Sequence, residues 1–463
     1  MLVRWDDAIG AGLDRAFAPA ANPWRHLGSL AFLAFAACAA SGVYLYAVFD
    51  TSLAGAYRSG QELDAGTVGS LVRGLHRYSA DAFALFGALH LLREAARGHF
   101  RFHRAWSWLS GLALVPFAWV AGVTGFWLAW DERALFSAMA TAEWLAAPPW
   151  GVAVVARNFV SAAAMSDRFF SLAVFLHIGV PLIALAATWA HLQRLSHVRV
   201  WPPAVLGAPL MATLAVLALV HPAASLAPAD ALVSPATIAL DWFYHFPHVF
   251  APEAFSIALI ACAAILAALP WMGARTRPGA AVVDLANCNG CARCVADCPF
   301  AAVVMVPRSD GRPHPREARV SPELCAACGI CAGACPSSTP FRIRSALASG
   351  IDLPQHPVAQ LRAELDRALE DTPGSAVVFA CGPARPPSGA IEVECAAMVP
   401  PAFVQYALRR GAPRVVFAAC RPGDCEHRLG DRWLAERIAG TRQPALRASV
   451  PRSQVKANQG EDR

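Results

Sequence analysis

Apolar residues form long, almost uninterrupted runs over the first part of this chain, and no such runs follow. A hydrocarbon layer of roughly 30 Å is crossed by about 20 apolar helical residues. Six stretches approach that length: 29–49, 74–95, 108–130, 169–193, 204–221 and 250–272. The fifth is the shortest and ends in Pro-rich sequence. Two long connections, 131–168 and 222–249, lie between spans. Beyond Gly273-Ala-Arg-Thr-Arg-Pro278 the pattern shortens. Strands are expected at 376–380, 391–394 and 414–418, and helices at 357–370, 401–410 and 431–438. From Thr441 the chain is polar and is expected to be disordered (441–463).

Composition sharpens this division into a membrane half and a soluble half. The chain of 463 residues is 56% hydrophobic and 16% charged, against about a quarter charged in ordinary soluble proteins. The net charge of +6 is modest. Its arginines gather at the ends of apolar runs: Arg93, Arg97, Arg101 and Arg104 after the second, Arg194 and Arg199 after the fourth, Arg275 and Arg277 after the sixth. The positive-inside rule assigns all three groups to the cytoplasmic face, and an even number of spans returns the soluble half to that side. No basic run is interleaved with stacking aromatics, so nucleic acid is not an expected partner. The first 27 residues show no cleavable signal pattern.

Twelve of the fourteen cysteines lie after Gly273, in close spacings that call for reduced thiolates. Charge and thiol chemistry thus independently place that half in the cytoplasm. Cys38 and Cys262 lie in apolar runs and read as packing residues.

Histidine inside a membrane helix is costly and usually functional. His76 and His90 are fourteen residues apart, as are His177 and His191. Fourteen residues is close to four helical turns, so each pair shares a face with roughly 21 Å between its members. The second and fourth runs cross in the same direction. His76 can therefore meet His177 at an outer level, and His90 can meet His191 at an inner level. Each level offers two imidazoles to one haem iron, which predicts two b-type haems.

The cysteine runs Cys288-x2-Cys291-x2-Cys294-x3-Cys298-Pro299 and Cys325-x2-Cys328-x2-Cys331-x3-Cys335-Pro336 follow the bacterial two-cluster ferredoxin pattern. In that pattern the fourth cysteine serves the other cluster. One 4Fe–4S cluster is expected on Cys288, Cys291, Cys294 and Cys335, and a second on Cys325, Cys328, Cys331 and Cys298. Zinc also binds Cys-x2-Cys repeats, but a fourfold run with a trailing Pro, present twice, favours clusters.

The apolar half resembles the cytochrome b family of quinol oxidoreductases over about 20–272. Asn22-Pro23-Trp24, Gly69-Ser-Leu-Val-Arg73-Gly-Leu-His76 and Gly122-Val-Thr-Gly125-Phe-Trp-Leu-Ala-Trp130-Asp131 carry the likeness. It implies that Arg73 pairs with a haem propionate and that the glycines let haem approach the backbone. It also implies quinone. Leu240-Asp241-Trp242-Phe243-Tyr244 resembles the family's outer quinol signature, where Asp241 would take a quinol proton, and His197 lies where the family binds quinone on the inner face.

Cys381, Cys395, Cys420 and Cys425 remain. Cys420-Arg-Pro-Gly-Asp424-Cys425-Glu-His427 follows an expected strand and resembles the delta subunit of methyl-viologen-reducing hydrogenase. That resemblance implies a 2Fe–2S cluster on the four thiolates and a flavin-containing heterodisulfide-reductase-like subunit, hydrogenase or formate dehydrogenase as partner.

The expected fold class is thus multi-domain. An all-α transmembrane helix bundle of about six spans (1–272) precedes a ferredoxin-like α+β domain (280–345) and a small α/β domain (372–440). The expected protein is a multi-pass electron-transfer subunit of a bacterial cytoplasmic membrane, linking quinone to a cytoplasmic flavoprotein or dehydrogenase. A membrane anchor with structural or sensory haems and no quinone turnover is the other class open at this point. No Gly-rich dinucleotide loop follows a strand.

Overall fold

A computed structural model describes residues 2–150, 152, 166–233, 237–273, 276–341, 347–382 and 388–458. The helical half is built from α1 (Leu2–Asp14), α2 (Leu27–Val48), α3 (Ala56–Ala65), α4 (Thr67–Ala96), α5 (Ala105–Leu128), α6 (Glu132–Ala146), α7 (Asp167–Leu192), α8 (Ala204–Val220) and α9 (Pro252–Ala268). Among the described residues, α2, α5 with its preceding turn, α7 and α9 with its following turn are long and apolar enough to cross a membrane. The six expected runs all form helices, but two do not meet that standard. The seventeen residues of α8 fall short. The thirty residues of α4 suffice in length, yet they include His76, Arg77, Asp81, His90, Arg93 and Glu94. These side chains turn towards neighbours, as Arg77 does towards Asp81 at 2.5 Å, which is how ionisable residues are tolerated within lipid.

Lengthwise packing pairs α2 with α4 and α5 with α7, while α8 leans on α4. The outer faces stay apolar: Phe175, Leu182 and Trp189 on α7 are 71%, 63% and 67% exposed. Such a contiguous apolar surface is what lipid covers. At one end Trp127, Trp130, Phe169 and Phe170 interlock with centroids 5.1–5.6 Å apart, Phe170 meeting Trp130 and Phe169 edge to face. Asp131 caps α6 by accepting from Ala134 N at 2.9 Å, a contact worth about 1 kcal/mol.

The cysteine-rich half begins with two small antiparallel ladders. Strand β1 (Val282–Val283) pairs with β4 (Ile351–Asp352), and β2 (Val303–Pro307) pairs with β3 (Arg316–Val320). Short helices α10 (Arg293–Asp297) and α11 (Ile330–Ala334) each carry the third cysteine of a run. A parallel sheet of order β6-β5-β7-β8 follows, from β5 (Val377–Cys381), β6 (Ile391–Val393), β7 (Val415–Ala418) and β8 (Val455–Asn458). Helices α12 (Val358–Asp371), α13 (Pro401–Arg409) and α14 (Gly430–Ala439) pack around it. Burial on both faces suits a parallel sheet.

Two expectations change here. Residues past Thr441 are ordered through Asn458, because Leu446, Val450 and Val455 are buried and carry the chain back to pair beside β7. Sparse apolar positions in a polar segment concealed this. The two soluble units also share one core: Cys328, Ile330 and Ala332 of the second cysteine run pack with Leu361, Phe379, Phe403 and Phe417.

His356 clamps the linker between these units to both sides. Its Nδ1 lies 3.1 Å from Glu394 and its Nε2 lies 3.1 Å from Glu364. The hydrogen bond to Glu394 raises the imidazole's pKa above its ordinary value, against the opposing effect of burial. A raised folded-state value stabilises fully below the unfolded value and is lost as pH rises through the folded one. His356→Gln should therefore weaken protection of α12 by about 1 kcal/mol below pH 6.5 and converge with the parent in alkali. Hydrogen exchange of α12 against pH checks this.

Candidate redox centres

Helices α4 and α7 are not in extensive backbone contact, yet their histidine side chains meet across the space between the helix pairs. The rings of His76 and His177 have centroids 5.9 Å apart at an interplanar angle of 69°. Metal–imidazole bonds of about 2 Å place two ligating rings with centroids roughly 6 Å apart. His90 and His191 stand fourteen residues further along the same two helices, so they form the second level. Outer groups fix the ring orientations. Nδ1 of His76 donates to Cys38 O at 2.9 Å, and Nδ1 of His177 donates to Ala121 O at 2.8 Å. Nδ1 of His191 lies 3.0 Å from Ser110 Oγ. A donating Nδ1 leaves Nε2 with the lone pair a metal needs.

Four glycines face these rings. A Cβ on Gly28 or Gly42 would lie 3.5 or 3.1 Å from the rings of His90 or His76. One on Gly111 or Gly125 would lie 3.3 or 2.7 Å from those of His191 or His177. The glycines repeat the fourteen-residue interval of the histidines, on α2 and on α5. That interval is present in the sequence, where the family likeness assigns close haem approach to Gly122 and Gly125. Gly122 itself faces the ring of Tyr244, which fills the place of its missing side chain.

The other expected membrane-half residues have partners of their own. Arg73 pairs with Asp64 at 2.5 Å and donates to Ser225 Oγ at 2.8 Å. Asp241 is buried, ion-paired with Arg77, and accepts from the backbone N–H groups of Phe243 and Tyr244 at 2.9 and 2.6 Å. His197 lies at the opposite end against the soluble half, with Nε2 2.9 Å from Ala296 O and its ring 5.4 Å from that of Trp433.

Both cysteine runs bend at the same two places. Gly290 and Ala292 in the first, and Ala327 and Gly329 in the second, have φ of +53° to +71°. An alanine held in that left-handed region costs about 1–2 kcal/mol and points to a functional constraint. The bends wrap each run around a cavity. One is lined by Cys288, Cys291, Cys294 and Cys335. The other is lined by Cys325, Cys328, Cys331 and Cys298. The fourth cysteine of each run thus lines the other run's cavity. Among the described residues no three His, Cys, Asp or Glu side chains close on a point as around a single ion. Burial pushes the Cys294 and Cys328 thiols up to about 12, so a cationic centre is what would hold them as thiolates. This donor set fits iron–sulfur clusters.

The last four cysteines also converge. Cys381, Cys395, Cys425 and Cys420 each interact electrostatically with two of the others, closing a ring of thiols. Gly430 faces the sulfurs of Cys395 and Cys425 and leaves no room for a side chain. Cys381 ends β5 and Cys420 follows β7, so adjacent parallel strands deliver two of the four.

This quartet faces the inner histidine level. Asp424 accepts from Arg25 at 2.8 Å and Arg93 at 2.6 Å, with Arg97 at 3.2 Å. Glu94 lies 3.9 Å from His90 Nδ1 and 2.7 Å from His99 Nδ1. His99 Nε2 in turn lies 3.3 Å from Glu426, the neighbour of Cys425. Arg104 donates to Glu426 O, and Arg428 donates to Ser196 O and Pro299 O. Phe300, which lines the second cavity, packs at 4.5 Å on the ring of His103.

Comparison with known proteins agrees with this division. Residues 13–199 match the cytochrome b/b6/petB family, 287–339 the 4Fe-4S dicluster domain, and 384–459 the delta subunit of methyl-viologen-reducing hydrogenase. The first match ends before Asp241 and the third begins after Cys381. Cytochrome b6 of Oltmannsiellopsis viridis is 29% identical over 178 residues, 37% of this chain and 81% of that protein. Cytochrome b6 of Mastigocladus laminosus is 31% identical over 115 residues, 25% and 54% respectively. A chain of a hyperthermophilic respiratory Complex III superposes with TM-score 0.44 at 19% identity, covering 53% of this chain and 74% of that one. The helical half has the cytochrome b fold, so haem is implied, and the dicluster unit implies iron–sulfur clusters. The class is a multi-pass membrane electron-transfer protein.

Asp424 is the residue on which docking of the two halves turns. Asp424→Ala removes the acceptor that three arginines share and leaves them Asp14 and Asp6, at about 1.5–3 kcal/mol for lost hydrogen bonds to a charged group. Faster hydrogen exchange over 420–430 with an unchanged haem absorbance is the expected result.

Proposed function

We propose that this protein is the quinone-linked electron-transfer subunit of an oxidoreductase complex in a bacterial cytoplasmic membrane. His76 with His177, and His90 with His191, would each hold one b haem, and Arg73 would meet a propionate near Asp64. Cys288, Cys291, Cys294 and Cys335 would hold one 4Fe–4S cluster, and Cys325, Cys328, Cys331 and Cys298 the other. Cys381, Cys395, Cys420 and Cys425 would hold a 2Fe–2S cluster. Bound there, these groups supply one-electron carriers that span from within the lipid to the soluble face. The far partner is a cytoplasmic flavin-containing heterodisulfide-reductase-like subunit, hydrogenase or formate dehydrogenase, in keeping with the delta-subunit match. Asp241 and His197, at opposite ends of the bundle, are the residues proposed for quinone.

One observation carries the reading. Three cysteine quartets lie on the end of the bundle that holds Arg93, Arg97 and Arg104, the third joined through Glu426, His99 and Glu94 to the vicinity of His90. A cytoplasmic orientation follows from the positive-inside rule applied to those arginines.

The test is reoxidation of the reduced, purified complex by a quinone analogue, with haem absorbance as readout; inertness of intact haems would rule the reading out. His90→Ala should remove one of two b-type haem signals and spare the iron–sulfur spectrum. Cys395→Ser should abolish a 2Fe–2S paramagnetic signal while the 4Fe–4S signals persist.

A further inference from the structure

The three cysteine quartets differ in what covers them. Of the twelve cysteines in the soluble half, Cys291 of the first quartet is exposed, and the others are buried or half-buried. The last quartet is the most enclosed, with Cys381, Cys395 and Cys425 at 3%, 2% and 8% exposure. On one side the turn bearing Cys420 and Cys425 is held to the bundle through Asp424, Glu426 and Arg428. On the other side the second cysteine run closes over it. A Cβ on Gly430 would lie 2.3 Å from Cys395 Sγ and 3.6 Å from Ile330 Cδ1, and Ile330 also lines the second cavity. Arg437 clasps this junction. It is 1% exposed and donates to Ala397 O at 2.6 Å and to Asp297, the neighbour of Cys298, at 2.5 Å.

Ile330 thus borders both centres, and the last quartet has the inner histidine level on its far side. The first cavity instead borders the β2–β3 hairpin, through Met305 and Ala318. Arg293 follows Cys291 by two residues. Arg316 opens β3 on the face that Ala318 turns to the cavity, since residues two apart in a strand share a face. Its carbonyl oxygen lies 2.5 Å from where a Cβ on Gly290 would stand. Neither guanidinium has an ion-pair partner among the described residues, whereas Arg308 and Arg312 share Asp310. Glu317 lies on the opposite face of β3 and accepts from Ser309 Oγ at 3.0 Å. Asp284 accepts within its own turn, from Ala286 N at 2.8 Å and Asn287 Nδ2 at 2.6 Å. Unpaired positive charge therefore flanks the exposed sulfur.

We infer that the surface at Cys291, flanked by Arg293 and Arg316, is where a soluble electron carrier bearing exposed carboxylates docks, and that the last quartet is an internal relay between the second cavity and the inner histidine level. The inference names a docking face for the electron-transfer reading above and rests on that reading. Enclosure of the last quartet leaves the first as the one a macromolecule can approach, although the partner was assigned by likeness of the unit that holds the last. A docked carrier gives up one electron and the centre on the first quartet takes it up, with no bond formed or broken. Complementary charge steers such an encounter and makes its rate depend on salt.

The test uses the full-length protein with its haems and clusters in lipid nanodiscs. A dysprosium chelate in the water phase speeds the electron-spin relaxation of a centre near the surface and spares an enclosed one. One 4Fe–4S signal should respond to it, and the 2Fe–2S signal should not. An equal response of the 2Fe–2S signal overturns the relay, and that comparison needs no variant to fold. The second probe is reduced flavodoxin, an acidic soluble electron carrier, with haem absorbance followed by stopped flow. Haem reduction should slow about tenfold between low and physiological salt, and by a similar factor at low salt when Arg293→Glu and Arg316→Glu are combined. Dithionite should still reduce the haems of that double variant fully, which shows that it has folded. Failure of flavodoxin to reduce wild type, or a rate indifferent to both salt and the double variant, overturns the docking face. Either overturning result with haems still reoxidised by a quinone analogue removes this inference alone. Haems inert to quinone, or missing cluster signals, remove the electron-transfer reading with it.

Discussion

One carboxylate gathers the most charged contacts where the halves of this molecule meet. Asp424 lies in a turn of the soluble region and accepts from arginines of two separate segments, Arg25 before α2 and Arg93 and Arg97 at the end of α4. Burying charge is expensive unless every partner is supplied, so this network tolerates one docking geometry and penalises others. Asp6 reinforces it by pairing with Arg97 at 2.5 Å and accepting from Trp24 Nε1 at 2.7 Å. The last cysteine quartet is held beside the inner histidine level because Asp424 and Cys425 are consecutive residues.

The bundle obeys a second constraint, close approach of rings to backbone. Fully grown side chains at Gly42 or Gly125 would occupy the space of the His76 or His177 imidazole. The helix pairs therefore come together through glycine on one helix and histidine on the other. In lipid, where no hydrophobic force drives helices together, small residues that permit close packing do much of this work. Gly333 and Gly430 serve similarly in the soluble half, where the second cysteine run and the last quartet press against each other.

Much of this was legible in the sequence because the signals are periodic or closely spaced. Apolar run length foretold the helices, and the fourteen-residue interval foretold which histidines meet. Spacing alone anticipated that Cys335 and Cys298 line each other's cavity. Less was legible where a residue's part depends on a distant partner. Asp241 read as a carboxylate that would take a quinol proton, and only the tertiary structure adds its ion pair with Arg77 and its capping of its own turn. His197 read as an inner-face residue near the place where the family binds quinone, and the tertiary structure adds Ala296 and Trp433 of the soluble half as its neighbours.

The sequence by itself determined which histidines and cysteines are spaced to act together, since residue type and helical period are local properties of the chain. Tertiary structure decided their order in space. The last cysteines of the chain do not extend outward past the ferredoxin unit but fold back beside the membrane helices. A parallel sheet requires long crossovers, and β8 returns from beyond α14 to complete it. Buried arginines from α4 then draw the resulting turn against the bundle. Contacts between residues more than three hundred positions apart, such as Arg93 with Asp424, leave no trace in local pattern.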